Sequence, residues 1–308
     1  MAITTTSTID DAVKKFLAES RFTLQERPGV VKSSIQVETL PEGEGPSIKL
    51  PKFNTVTTYA LTEGIDMSQV QTISDTVMTL TPTEFGAQVM LTDLMLMESR
   101  DEFFRVAGRI LAESYDRQQD QTLCDDLDNF SVAIGSAGTA LNIGHVMAGH
   151  ASIKYGNPAA AAGRGGEPGP DPVSGIFTPA QIHSLKKTMS ISLGWPSHYQ
   201  FVEGTTGVPR PYLERPEAAA YSEQFEAGGV MVKSDININK DASDDAKGGI
   251  ISKMSMILAQ LGEEPTVEKE RDASLRAWEL NFVGRWARGE YNDSWGIEAL
   301  FDSVTPTS

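Results

Sequence analysis

The residues that could carry chemistry in this 308-residue chain are four histidines, one cysteine and two suggestive loops. His145 and His150 lie in IGHVMAGHASIKY, where a five-residue step puts them about 140° apart around a helix. A zinc-binding pair on a helix needs a four-residue step, as in HExxH, and His183 and His198 supply no such partner. Cys124, standing alone, excludes an internal disulfide framework and any cysteine-based zinc cluster. Its neighbours Asp125 and Asp126 oppose a thiolate, which makes it a packed structural thiol. Gly163-Arg164-Gly165-Gly166 has Pro168 where a dinucleotide fingerprint needs its third glycine, and no strand precedes it. DININK, Asp235 to Lys240, offers oxygens at the first, third and fifth positions of a calcium loop. Lys240 then replaces the required glycine and Ala246 the required glutamate. No Gly-x-Ser-x-Gly elbow and no Walker lysine is present. The expectation is therefore a protein that is not an enzyme, with no catalytic, cofactor-binding or metal residues.

Composition agrees with that expectation. The chain has 42 Asp and Glu against 26 Lys and Arg, a formal charge of -16, which argues against binding polyanions through an extended basic face. It is 40% hydrophobic, enough for a core. No stretch reaches the roughly 18 apolar residues of a membrane span, and MAITTTSTIDDAVKKF is not expected to be a secretory signal. The acidic run Asp125, Asp126 and Asp128 sits where a helix should end, against the helix dipole, and predicts a lysine or arginine partner.

The elements that would position any site read as follows. Asp10–Ala18 suits a short amphipathic helix in an N-terminal arm. A hairpin follows, with Ser47–Leu50 extended, Pro51 at an edge position, and Val56–Leu61 as the return limb ending at Glu63-Gly64. Such a ribbon is marginal alone in water, so it packs either on its own domain or on a neighbour. Phe85, Ala87, Val89 and Leu91 alternate as a half-buried strand. Thr92-Asp93 then caps one helix from Leu94 to Leu127, about 50 Å long. Ile143–Tyr155 suits a helix, and Thr178-Pro179 starts another. Trp195–Val202, Gly228–Val232 and Gly248–Ala259 read as strands, with Gly262 as a breaker. Trp278, Leu280, Phe282, Gly284 and Trp286 share one strand face. ARGEY turns the chain, and SWGIEALF returns as a third antiparallel strand beside the Phe85 strand. The class is α+β.

This order of elements resembles the major capsid protein of tailed bacteriophages, the Hong-Kong-97-like capsid fold. GPSIKLPKFNTVTTYALTEGID is similar to that family's E-loop and IFTPAQIHSLKK to an A-domain strand running into a helix. GGIISKMSMILA and RWARGEYNDSWGIEAL are similar to the last A-domain strand and the final P-domain strands. The resemblance implies an N-terminal arm over 1–35, an E-loop hairpin over 36–75, and a P-domain strand and spine helix over 76–130. It implies a central α/β A-domain over 131–262, with a flexible excursion at 156–175, and a return to P-domain strands and a C-terminal tail over 263–308.

The implied function is a shell subunit of the virion, made in the bacterial host cytoplasm. It would form hexamers and pentamers around double-stranded DNA, which it contacts weakly and without sequence specificity. Scaffolding, portal and decoration proteins are the other partners the resemblance allows, and no membrane is involved. No coiled-coil scaffolding segment is expected before the arm. Ile48, Leu50, Phe53, Val56, Tyr59 and Leu61 are the expected inter-subunit contacts, and Gly43, Gly45 and Gly64 the expected hinge. A phage ring or adaptor protein is the alternative. A metal-dependent hydrolase is the more distant one, lacking a convergent ligand set.

Overall fold

The computed structural model describes residues 29–40, 47–53, 56, 58–61, 63–64, 70–98, 102–156, 166–192 and 224–306. The Asp10–Ala18 helix, the Trp195–Val202 strand, Gly43, Gly45 and positions 157–165 of the excursion lie outside them.

Twelve strands fall into three sheets among the described residues. The first sheet has the order β1-β10-β11-β4, formed by β1 (Gln36–Leu40), β4 (Thr83–Thr92), β10 (Met256–Asp272) and β11 (Ala277–Glu290). The β10–β11 hairpin is its spine, and Arg276 takes a positive φ of 49° in the turn. The Asp272 carboxylate accepts from the backbone N–H groups of Ser274 and Leu275 there. The alternation expected for β11 holds: Leu280, Phe282, Gly284 and Trp286 are buried, while Arg285 is exposed.

Helix α1 (Asp93–Glu98) follows β4 directly, with Thr92 Oγ1 accepting from Met95 N at 3.4 Å. Helix α2 (Glu102–Asp125) packs on this sheet through Ala107, Leu111 and Tyr115, against Leu91, Leu280 and Phe282. The single helix expected over Leu94–Leu127 is thus described as two stretches, and α2 closes in a 3-10 turn, Asp126–Asn129. Its 24 residues span about 36 Å rather than 50. Ile110 of this helix is exposed.

The second sheet has the order β5-β12-β9-β6-β8-β7. Its strands are β5 (Ala133–Gly135), β6 (Val173–Phe177), β7 (Gln224–Ala227), β8 (Val230–Ser234), β9 (Asp245–Ser252) and β12 (Gly296–Asp302). Helices α3 (Ile143–Tyr155) and α4 (Pro179–Ser192) occupy the expected positions. Asn142 Oδ1 caps α3 through His145 N at 3.0 Å, and Thr178 Oγ1 caps α4 through Gln181 N at 3.3 Å. Val146, Ile153, Leu185, Phe177, Ile250 and Phe301 form this sheet's core.

Several expectations are corrected. Gly248–Ala259 is not one strand: β9 ends at Ser252, and a turn carries the chain into β10 of the other sheet. Gly262 does not end β10, which runs on to Asp272, but pairing with β11 lapses there and resumes with a register shift between Leu261 and Thr266. ARGEY does not turn the chain, since β11 runs to Glu290 and a 3-10 turn at Asp293–Trp295 follows. SWGIEALF does not join the Phe85 strand: β12 pairs with β9 and β5 in the second sheet. Val173, Ser174 and Gly175, placed in the excursion, are buried in β6. Gly228-Gly229 belong to the β7–β8 turn rather than to a strand, both at positive φ.

The third sheet is a ribbon of β2 (Ile48–Phe53) and β3 (Asp75–Leu80), paired from Ile48↔Leu80 to Phe53↔Asp75. The return limb is therefore β3, and the described residues of 56–61 are not in a strand.

Candidate assembly surface

Alternation along β2 decides what the ribbon offers. Ile48 and Leu50 point to one side, with Met78 of β3, and pack on Leu80, Ile257 and Ala259 of their own chain. These two expected contact residues therefore serve the subunit's own core. Phe53 leaves the strand 62% exposed, and Val56, Tyr59 and Leu61 are exposed beyond it. Gly64 sits in a turn at φ +81°, with open space around the position of a β-carbon. Sequence reasoning missed Val70, Ile73 and Val77, which extend the exposed apolar row, Val70 being 91% exposed. Of these only Val77 lies in β3, paired with Pro51, while Val70 and Ile73 precede the strand. Exposed apolar rows of this kind mark interaction surfaces.

The ribbon is also fastened to its own body along β2, at Pro51 and Lys52. Tyr291 Oη donates to Pro51 O at 3.4 Å. Lys52 Nζ lies 3.5 Å from Glu167 and 5.7 Å from the Trp295 ring centroid. Trp295 Nε1 donates to Glu167 O at 3.1 Å, which holds that carboxylate's segment in place.

The acidic helix end has the cations that the sequence demanded. Arg288 Nε donates to Asp126 Oδ2, and Lys247 reaches both Asp128 and Glu298, the latter at 3.2 Å. Burial nevertheless raises the Asp126 carboxyl above the usual range, with Arg288 opposing it. Nearby, Glu290 is pushed up to about 7 by burial, then by Asp293 and Asp126.

One group of side chains offers convergent donor atoms among the described residues. Asp120, Cys124 and Asp235, all buried, bring two carboxyls and a thiol within 4.8 Å of one another. Each is already engaged. Asp120 accepts from Val31 N at 3.2 Å and from Asn237 Nδ2 at 3.0 Å. Asp235 accepts from Asn237 N at 2.8 Å and from Cys124 Sγ at 3.5 Å. Asp235 is pushed up to about 8, by burial first and then by the neighbouring Asp120 carboxyl. The Cys124 thiol is also raised, chiefly by burial and by Asp235 and Asp120, with Asp125 a smaller cause than sequence proximity implies. Asp235 thus belongs to this pair rather than to a calcium loop. Of the histidines, His145 lies tilted against Phe301 with ring centroids 4.8 Å apart, and His150 lies against Gly229.

No protein-family profile matches the sequence, and no curated protein matches it. Solved structures do. The capsid of the cyanophage P-SCSP1u is similar at a TM-score of 0.64 and 11% identity, covering 98% of this chain and 96% of that one. The capsid of Ralstonia phage GP4 is similar at a TM-score of 0.65 and 12% identity, covering 89% and 88%. The SrpI encapsulin complex from Synechococcus elongatus is similar at 0.60 and 11%, covering 100% and 98%. Across nearly its whole length, this chain has the fold of the tailed-phage capsid proteins.

Proposed function

We propose that this chain is the major capsid protein of a tailed bacteriophage, assembling as hexamers and pentamers into an icosahedral shell around double-stranded DNA. The observation that carries the reading is likeness of fold along nearly the full length of both chains with the P-SCSP1u capsid. In this reading the ribbon is the E-loop and the β4–α2–β10–β11 layer the P-domain. The six-stranded sheet with α3 and α4 is the A-domain, and the protein resides in the virion.

The physics of the exposed surface supports it. A two-stranded ribbon with an uncovered apolar tip is unstable company for water. Covering Phe53, Val56, Tyr59 and Leu61 on a neighbour contributes about 1.5–3 kcal/mol for each large side chain fully buried. A lattice repeats that contact, so effective concentration multiplies modest affinities. The net charge of -16 repels phosphate and leaves packaged duplex free to slide, where a basic wall would hold it. Scaffolding, portal and decoration proteins are the partners such a subunit would meet.

Electron microscopy of the purified protein tests the reading. Closed icosahedral shells support it, whereas a ring that stops at one fixed number of subunits supports the adaptor alternative. Double-stranded DNA extracted from native particles supports the phage assignment. Particles filled with protein instead support a compartment, the reading favoured by likeness to the encapsulin complex.

A further inference from the structure

The segment Gly29–Ile35 leads from residues 1–28 into β1, and its grip on the body is unusually polar for a buried contact. Val31 is fully buried beside Leu123, Cys124 and Leu127 of the α2 end. Its backbone N–H has one acceptor, Asp120 Oδ1. Lys32 Nζ donates to Gln119 Oε1 at 3.0 Å. From β8, Lys233 Nζ donates to Ser33 Oγ at 2.9 Å and to Ser34 Oγ at 2.7 Å. Asn237 ties the two acids together, giving one N–H to each. Three parts of the molecule therefore meet at the Asp120–Asp235 pair: the N-terminal segment, the long helix, and the loop after β8.

The charged groups around the pair cannot neutralise it as they stand. Asp116 and Asp125 on α2 add negative charge, and the Cys124 thiol stays protonated. Lys32 and Lys233 are engaged with Gln119, Ser33 and Ser34. Among the described residues no cation forms an ion pair with Asp120 or Asp235. Two buried carboxyls this close cannot both be ionised cheaply.

We propose that one proton shared by Asp120 and Asp235 locks segment 29–35 onto the subunit, and that its loss to solvent as the pH rises makes opening of the root of the N-terminal segment more frequent. Released, Asp235 ionises beside Asp120, the two carboxylates separate, and Val31 N–H loses its acceptor. The inference rests on contacts within one chain and is indifferent to what the subunit assembles into.

Hydrogen exchange on the full chain tests it, following the peptide that covers Val30–Val37 from pH 5.5 to 9, corrected for intrinsic exchange. Because opening discharges one proton, linkage sets the opening constant to rise about tenfold per pH unit, levelling off near pH 8, where Asp235 ionises without opening. In Asp235→Asn the amide replaces the shared proton, so the constant becomes independent of pH and Val31 stays protected at pH 9. A wild-type opening constant that does not change with pH, or an equal slope in D235N, overturns the proposal. Infrared spectroscopy of the wild type keeps it falsifiable if D235N fails to fold. The carbonyl band of a buried, protonated carboxylic acid must be present at pH 7 and lost by pH 9.5, and its absence at pH 7 overturns the proposal.

Discussion

Arg288, near the end of β11, donates from Nε to the Asp126 carboxylate at the 3-10 turn that closes α2. The pair joins residues 162 positions apart and offsets a negative charge that the helix dipole disfavours. Asp126 is largely buried, so removing Arg288 strands a desolvated charge. Arg288→Ala is expected to destabilise the unassembled subunit by roughly 2 kcal/mol. Asp126→Asn in the same background should recover part of that loss. Urea denaturation of the four variants in the double-mutant cycle checks it, and strictly additive losses would contradict the coupling.

Gly284 is required by its neighbour across the layer. A β-carbon there would overlap the Tyr115 phenol of α2, which also packs on Phe282 at a centroid distance of 5.2 Å. Gly284→Val should cost about 1–3 kcal/mol through overpacking, and Tyr115→Leu should relieve part of it. Burial, then Asp116, pushes the Tyr115 hydroxyl up to about 12. Ultraviolet titration should therefore show one tyrosine that ionises later than the rest while the fold persists.

Glu290 gives a pH dependence with a definite sign. Its folded value of about 7 lies above the ordinary 4.5, so the folded chain holds a proton that the unfolded chain has lost. Its stabilising contribution is complete below about pH 4.5, falls as the pH rises to about 7, and changes no further above that. Glu290→Gln should reduce the downward slope of stability between pH 5 and 7. Chemical denaturation at a series of pH values would show identical slopes in both proteins if burial leaves Glu290 untouched.

How far the sequence discloses this arrangement depends on the range of the interaction. Alternation and period sufficed for β4 and α3, and capping marked the starts of α1 and α4, because Thr92 and Thr178 each cap the helix that follows. The face of β11 was legible too, since alternation is intrinsic to a strand. Sheet membership was not: nothing in Gly296–Asp302 says that it pairs with β9 rather than with β4. Val56–Leu61 reads as a return limb by apolar content, yet β3 takes that place through pairing with β2. At Gly262 the local breaker interrupts the ladder, and tertiary pairing resumes at Thr266 and lets β10 continue. At the candidate surface, the exposed ribbon residues were visible as apolar spacing. The Asp120–Asp235 pair was not, because 115 residues separate its members.

The ribbon tip supplies a prediction that separates assembly from folding. Phe53→Ser, Tyr59→Ser and Leu61→Ser together alter side chains that are exposed in the isolated subunit, so its thermal stability should change little. Shell formation should be lost, because several buried apolar anchors dominate such interfaces. Circular dichroism and sedimentation velocity measure the two effects separately. A variant that still assembles fully would remove the tip from the interface.

The central claim is that this polypeptide acts through the surfaces it presents to its own copies. Electron cryomicroscopy of the purified wild-type protein at high concentration tests it most directly. The account predicts closed shells of hexamers and pentamers in which the tip bearing Phe53, Tyr59 and Leu61 is covered by an adjacent subunit. A discrete monomer, with that tip folded back on its own body, would contradict it.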